Sequence, residues 1–154
     1  MTPEIVFLPA ALIAVIGAAL DVRSRRIPNR LVAALAIAAA GATLASFGWV
    51  ALGSAALHAL IALLAGMALF ALRAIGGGDA KFYSAAAFGV PLSGALGLLA
   101  FTAISGLVAV VAMLIWYRGF KMSAGKERRS WTLPYGLPIC CGFLIQAYSL
   151  AGFF

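Results

Sequence analysis

The sequence predicts an all-α membrane protein, six transmembrane helices in one domain over residues 1–154, with both termini outside and the basic loops cytoplasmic. Three observations carry that expectation. Of the 154 residues 65% are hydrophobic and a further 17 are glycine, against about half apolar in soluble domains. Only 10% are charged, which excludes soluble and disordered chains alike. The 11 bases fall into three clusters, separated by charge-free runs at 5–20, 31–72, 82–117 and 130–154.

A spanning helix needs about 20 apolar residues. Run 5–20 is short, so the first helix is expected to continue toward Arg23. Its charges follow the apolar stretch, unlike the basic start of a signal peptide, so it reads as an uncleaved span. Run 31–72 has room for two helices, with a turn between Phe47-Gly48 and Gly53-Ser54. Run 82–117 is too long for one helix and tight for two; Gly89-Val90-Pro91 would divide it into a short first half and a full second half. Run 130–154 supplies the last helix, with an irregular start over 134–138. Two passes in 82–117 put all three basic clusters on one side, whereas one pass strands the third cluster opposite the others. The positive-inside rule therefore selects six spans.

The net charge of +7 belongs to topology rather than to nucleic acid, since no basic stripe interleaved with aromatics lies on a soluble element. Trp49, Trp116, Tyr117 and Trp131 fall near the expected interfaces, as an aromatic belt does. Loop 118–130 is basic and glycine-containing, suited to anionic lipid. Small residues four apart, Gly41 with Ala45 and Ser105 with Ala109, suggest close helix contacts.

An ionisable residue at the edge of a span is a functional candidate, because burying it is costly. Asp21 ends the first apolar run and Asp79 follows the third; six spans put both at the cytoplasmic lip, at similar depth. Each also has a structural reading. Asp21 could pair with Arg25 one helical turn on, and Asp79 could cap a helix starting at Ala80, after a flexible Gly76-Gly77-Gly78 linker. Together, in so acid-poor a chain, they point to chemistry: two carboxylates sharing a proton divide general-base and general-acid work. Glycines 76–78 would let a backbone approach Asp79 or simply act as a hinge. Lys81 would tune Asp79, bind a carbonyl, or anchor its helix among headgroups. His58, far from both acids in sequence, reads as a packed, hydrogen-bonded histidine. Adjacent Cys140 and Cys141 lack metal-ligand spacing, so no metal site is expected.

Asp21-Val22-Arg23-Ser24-Arg25-Arg26-Ile27-Pro28-Asn29 resembles the first aspartate motif of the type IV prepilin peptidases, an Asp followed shortly by Ile-Pro-Asn. Gly76-Gly77-Gly78-Asp79-Ala80-Lys81 resembles their Gly-x-Gly-Asp signature with its trailing lysine, and Pro134-Tyr135-Gly136 a short motif before the last span. The resemblance implies an intramembrane aspartic endopeptidase of the bacterial inner membrane, with Asp21 and Asp79 as its catalytic pair and no cofactor. Gly76, Gly78, Lys81, Pro28 and Asn29 would lie beside substrate. Its partners would be membrane lipid and a prepilin, whose short basic leader it would remove at the cytoplasmic face. The short length and the residues around Asp21 are most similar to the branch serving tight-adherence (Flp-type) pili. Longer members carry paired Cys-x-x-Cys motifs and an N-methyltransferase activity between the first two spans; here only residues 22–30 lie there, so methylation is not expected. The rival class is a small proton-coupled transporter using the two acids as a relay, but the chain shows no convincing repeat and both acids fall at one lip.

Overall fold

The computed structural model describes residues 3–119 and 135–152. The expectations for Trp131, for Pro134, for the side chain of Tyr117 and for loop 118–130 beyond its first two residues lie outside the described residues. Every element among those described is helical.

Helix α1 covers Pro3–Ser24, continuing past Arg23 as its short apolar run requires. It closes where Arg25 enters the left-handed region at φ 53° and donates its amide to the Asp21 carbonyl at 2.8 Å, pairing one of the carbonyls that a helix end leaves free. The Ile27-Pro28-Asn29 step then restarts the chain. Pro28 sits at φ −63° ahead of α2, a position where its missing N–H costs nothing. Its carbonyl accepts the amides of Leu31 and Val32 at 3.0 and 3.2 Å.

Helix α2, Asn29–Ala71, consists of two helical arms joined at Gly48, whose φ of 81° and ψ of −175° are not helical. Asn29 at its start and Gly76 beyond its end line one cavity, whereas a straight helix of 43 residues would hold them about 65 Å apart. The chain therefore doubles back at Gly48, while Gly53 and Ser54 are helical. The second arm ends on Arg73 at φ 59°, with the amides of Arg73 and Ala74 on the carbonyls of Phe70 and Leu69, both at 2.9 Å. This is a Schellman closure, a place glycine usually takes.

Helix α3 covers Gly77–Ala87 and has 11 residues, so it rises only about 16 Å, half of a hydrocarbon core of about 30 Å. It lies against the second arm of α2, with Gly66 on Ala80 and the Ser84 hydroxyl donating to the Ala59 carbonyl at 2.8 Å. The chain breaks at Gly89-Val90-Pro91, where the sequence places a break, and Val90 there is fully buried. Unpaired backbone groups in apolar surroundings cost several kcal/mol each, and three polar side chains of α2 meet the ones freed here. Thr43 Oγ1 donates to the Phe88 carbonyl at 2.9 Å, His58 Nδ1 to the Val90 carbonyl at 2.9 Å, and Ser54 Oγ accepts the Leu92 amide at 3.0 Å. The expectation of a buried, hydrogen-bonded His58 is borne out.

A single 3-10 turn, Leu92–Gly94, leads into α4, Ala95–Gly119, and the chain closes with α5, Gly136–Gly152. Helices α2 and α3 pack as one unit; α5 lies between α1 and α4 and touches α3, and α1 also packs on α2. Helix α4 has α5 as its main neighbour. Phe82 and Phe143 are fully buried among alanines of α1, α2 and α3. Lipid is as apolar as these side chains, so close packing of small residues drives such association. The close approaches are not the ones expected from spacing: Gly41 and Ala45 are exposed, and nothing lies near Gly41. Tight contacts form instead at places such as Gly66 on Ala80 and Gly142 on Thr102, which depend on facing helices rather than on one helix's repeat. Ser105 and Ala109 are half-buried, and Trp49 and Trp116 are largely exposed, as belt residues are.

Segments Ile5–Ser24, Asn29–Ala71 and Leu92–Trp116 are long and apolar enough to cross a membrane, and Gly136–Gly152 is a shorter apolar helix. Alanine at Gly48 would meet no neighbour but must adopt a positive φ with extended ψ, a region all but reserved for glycine, at a cost of roughly 1–3 kcal/mol. Alanine at Gly41, inside an open stretch of helix, gains up to about 1 kcal/mol. Thermal unfolding in micelles should show the two substitutions moving stability in opposite directions.

Candidate active site

Asp21 stands in the last turn of α1 with its side chain buried. Its Oδ2 accepts the backbone N–H of Gly136 at 2.8 Å. Gly136 opens α5, so this amide is one that the helix itself leaves unpaired, and the positive end of the helix dipole favours a carboxylate there. A Cβ on Gly136 would lie 2.8 Å from the Asp21 Cβ and 2.9 Å from Oδ2. Only glycine permits that approach, which gives the glycine of the Pro-Tyr-Gly motif a physical role.

Asp79 does not cap a helix starting at Ala80. Helix α3 begins at Gly77 with Gly76 as its cap, so Asp79 is the third residue of the first turn. Its carboxylate accepts a hydrogen bond from the Gly76 backbone, one half of a capping box. A Cβ on Gly76 would come within 2.7 Å of Asp79 Oδ2, whereas the space around Gly78 is open. Gly76 thus serves the packing of Asp79, and Gly78 leaves room beside it. Asp79 stands at the lip, ahead of the apolar run 82–117. Burial first, then the charge of Asp21, push its carboxyl up to about 6, against the opposing Gly76 hydrogen bond.

One cavity of about 690 Å³ is lined by Asp21, Pro28, Asn29, Gly76, Gly78, Asp79 and Lys81, with Arg25 and Arg26 beside them. All seven candidates drawn from the sequence therefore meet around one space. Pro28, Asn29 and Lys81 are exposed at its rim. Asp79 also borders a second, apolar cavity of about 340 Å³ that extends to His58. That second cavity had no signal in the sequence, because its walls come from four helices and carry ordinary lipid-facing residues. Cys140 lies in the core and Cys141 is half-buried.

Lipid-compatible helices around a polar cavity with two carboxylates define a membrane protein equipped for acid–base chemistry at its edge. The type IV leader peptidase family model matches residues 6–114, and the chain belongs to that family. It is accordingly a protease by family and a multi-pass membrane protein, and the family acts on prepilin substrates. The match includes both aspartates and stops short of Gly136. No curated protein and no solved structure matches the chain.

Gly136→Ala forces Asp21 or the start of α5 to move. Overpacking of this kind costs about 1–3 kcal/mol, and a comparable loss in thermal unfolding is expected, larger than for alanine at the open Gly78.

Proposed function

We propose that this chain is an intramembrane aspartic endopeptidase that removes the short leader of Flp-type prepilins at the cytoplasmic face of the bacterial inner membrane. The observation that carries the reading is the shared cavity: two aspartates from separate motifs, 21 and 79, line one space with the glycines that shape it. Six spans with outside termini keep every base of the chain, and this cavity, on the cytoplasmic side. The two arms of α2 supply the second and third spans, and the part of α3 beyond Asp79, with the turn after it, supplies a short fourth.

In the mechanism, Asp79, its carboxyl raised to about 6, carries the proton that the pair shares. Asp21, held by the Gly136 amide, takes a proton from water as the water oxygen bonds to the scissile carbonyl carbon. Asp79 hydrogen-bonds the carbonyl oxygen. When the C–N bond breaks, the proton taken from water passes to the leaving nitrogen, and the pair again holds one proton. Lys81 at the rim offers an ammonium to a substrate carbonyl, and Gly78 leaves space for the substrate backbone. A transporter reading is disfavoured by the placement of both acids at one lip, without further acids leading across the bilayer.

Asp21→Asn and Asp79→Asn should each abolish leader removal from a co-expressed prepilin while the protein remains inserted. The double variant should be no worse, because residues acting as one unit are non-additive. Substantial cleavage by either purified single variant would falsify the pairing. Because Asp79 must hold a proton, the cleavage rate measured against pH should be sustained below pH 6 and decline as pH rises through about 6.

Topology has its own test in a background with Cys140 and Cys141 replaced by serine. An impermeant thiol reagent applied outside intact cells should label Ser93→Cys and miss Ser24→Cys. Labelling at 24 would reverse the orientation.

A further inference from the structure

We propose that the bundle stands tilted in the bilayer by about 30°, inside the range of membrane helices, with the apolar end of α4 covered by lipid acyl chains rather than by protein. Nothing in it depends on the peptidase reading, and the six-span topology enters only in naming the two faces. Its ground is that α4 is slid along the bundle axis relative to α1 and α2.

Register measures the slide at the Asp21 end. Helices α4 and α5 run antiparallel, with Gly97 on Gln146, Thr102 on Gly142, and a Cβ on Gly106 lying 3.7 Å from Pro138. Continuing that register puts Val108 level with Gly136, whose amide is bonded to Asp21. Helix α5 begins there, yet α4 runs on to Gly119. From Val108 to Trp116 it rises about 12 Å past the level of Asp21. Helix α1 ends just beyond Asp21, at Ser24.

At the other end the slide has the same sign and size. The Leu92 amide lies on Ser54 Oγ, six residues along α2 from the turn at Gly48. Helix α4 therefore starts about 9 Å below that turn. It is displaced as a whole, not merely longer.

An upright bundle cannot satisfy both sides. No charge falls between Val108 and Trp116, and Val108, Leu114 and Ile115 are more than half exposed, so this stretch belongs in hydrocarbon. Arg23, Arg26 and Arg30, exposed near the level of Asp21, do not, because a charge there is costly. Tilting brings both to one plane. Helix α5 lies between α1 and α4, so two helix spacings, about 18 Å, separate them. A slide of about 10 Å across that width is removed by a tilt of about 30°. The same rotation lifts the start of α4 to the level of the Gly48 turn. Trp116 and Arg118 then mark the interface on α4, as an aromatic belt and a flanking base do. Residues 120–134 carry four bases and Glu127, a composition suited to headgroups rather than to covering valine, leucine and isoleucine.

The test uses the full chain in nanodiscs, with Cys140 and Cys141 replaced by serine and a nitroxide on one new cysteine at a time. Collisions with oxygen, which concentrates in hydrocarbon, are compared with those of a water-soluble nickel chelate. Leu114→Cys lies further along the axis than Ser24→Cys, so an upright bundle makes it the wetter of the two. The tilt predicts the reverse: oxygen dominates at 114 and nickel at 24. Wetting at 114, shielding there from both reagents as packed protein would give, or spin–spin broadening from a second copy would each overturn the proposal. On the opposite face, Val50→Cys and Ser93→Cys should report the same depth. A label at 93 deeper by about 9 Å would mean an upright bundle in a dented bilayer, and would also overturn the tilt.

Discussion

A backbone amide or carbonyl without a partner is expensive in hydrocarbon, and this constraint organises the whole molecule. At two breaks among the described residues, at 88–91 and at the start of α5, a side chain from elsewhere meets a freed backbone group. Thr43, Ser54 and His58 of α2 take the backbone groups around the first. Asp21 takes the Gly136 amide at the second. Because α5 packs on α1 and carries α4, the bond between Asp21 and Gly136 adds a polar tie to the apolar packing that joins the first helix to that half of the bundle. A residue proposed for chemistry is therefore also a joint of the frame.

The same constraint explains the helix ends at the lip. Arg25 and Arg73 each adopt a left-handed conformation to close their helices, although glycine would do so with less strain. In the proposed topology arginine there would set a guanidinium beside the headgroups, which glycine cannot supply.

Much of this was legible in the sequence, and for identifiable reasons. Charge placement marked the lip, because a charged residue has so few tolerable positions in an apolar chain. The aspartate motifs and the break at Gly89-Val90-Pro91 were visible because local chemistry dictates them, and the state of His58 because a lone imidazole in an apolar run must find a partner, whichever it is. What depends on partners distant in the chain was not visible. The Gly41 and Ala45 pair has the spacing of a helix contact but faces outward, since spacing cannot say which side of a helix meets another. The start of α3 at Gly77 rather than Ala80 follows from Gly76 acting as the cap, a choice settled by how Asp79 packs back against it. The contact between Gly136 and Asp21 spans 115 residues, a distance at which one sequence carries no trace of pairing.

Asp79 rides on the unit formed by α2 and α3, while Asp21 belongs to α1, bound through its carboxylate to α5. The two carboxylates therefore reach their shared cavity from different helices, and the packing of α1 on α2 sets how far apart they stand. Lateral pressure in a bilayer differs with chain length, unsaturation and leaflet curvature. A lipid mixture that shifted α1 against α2 would alter the separation of the two acids with no headgroup touching either.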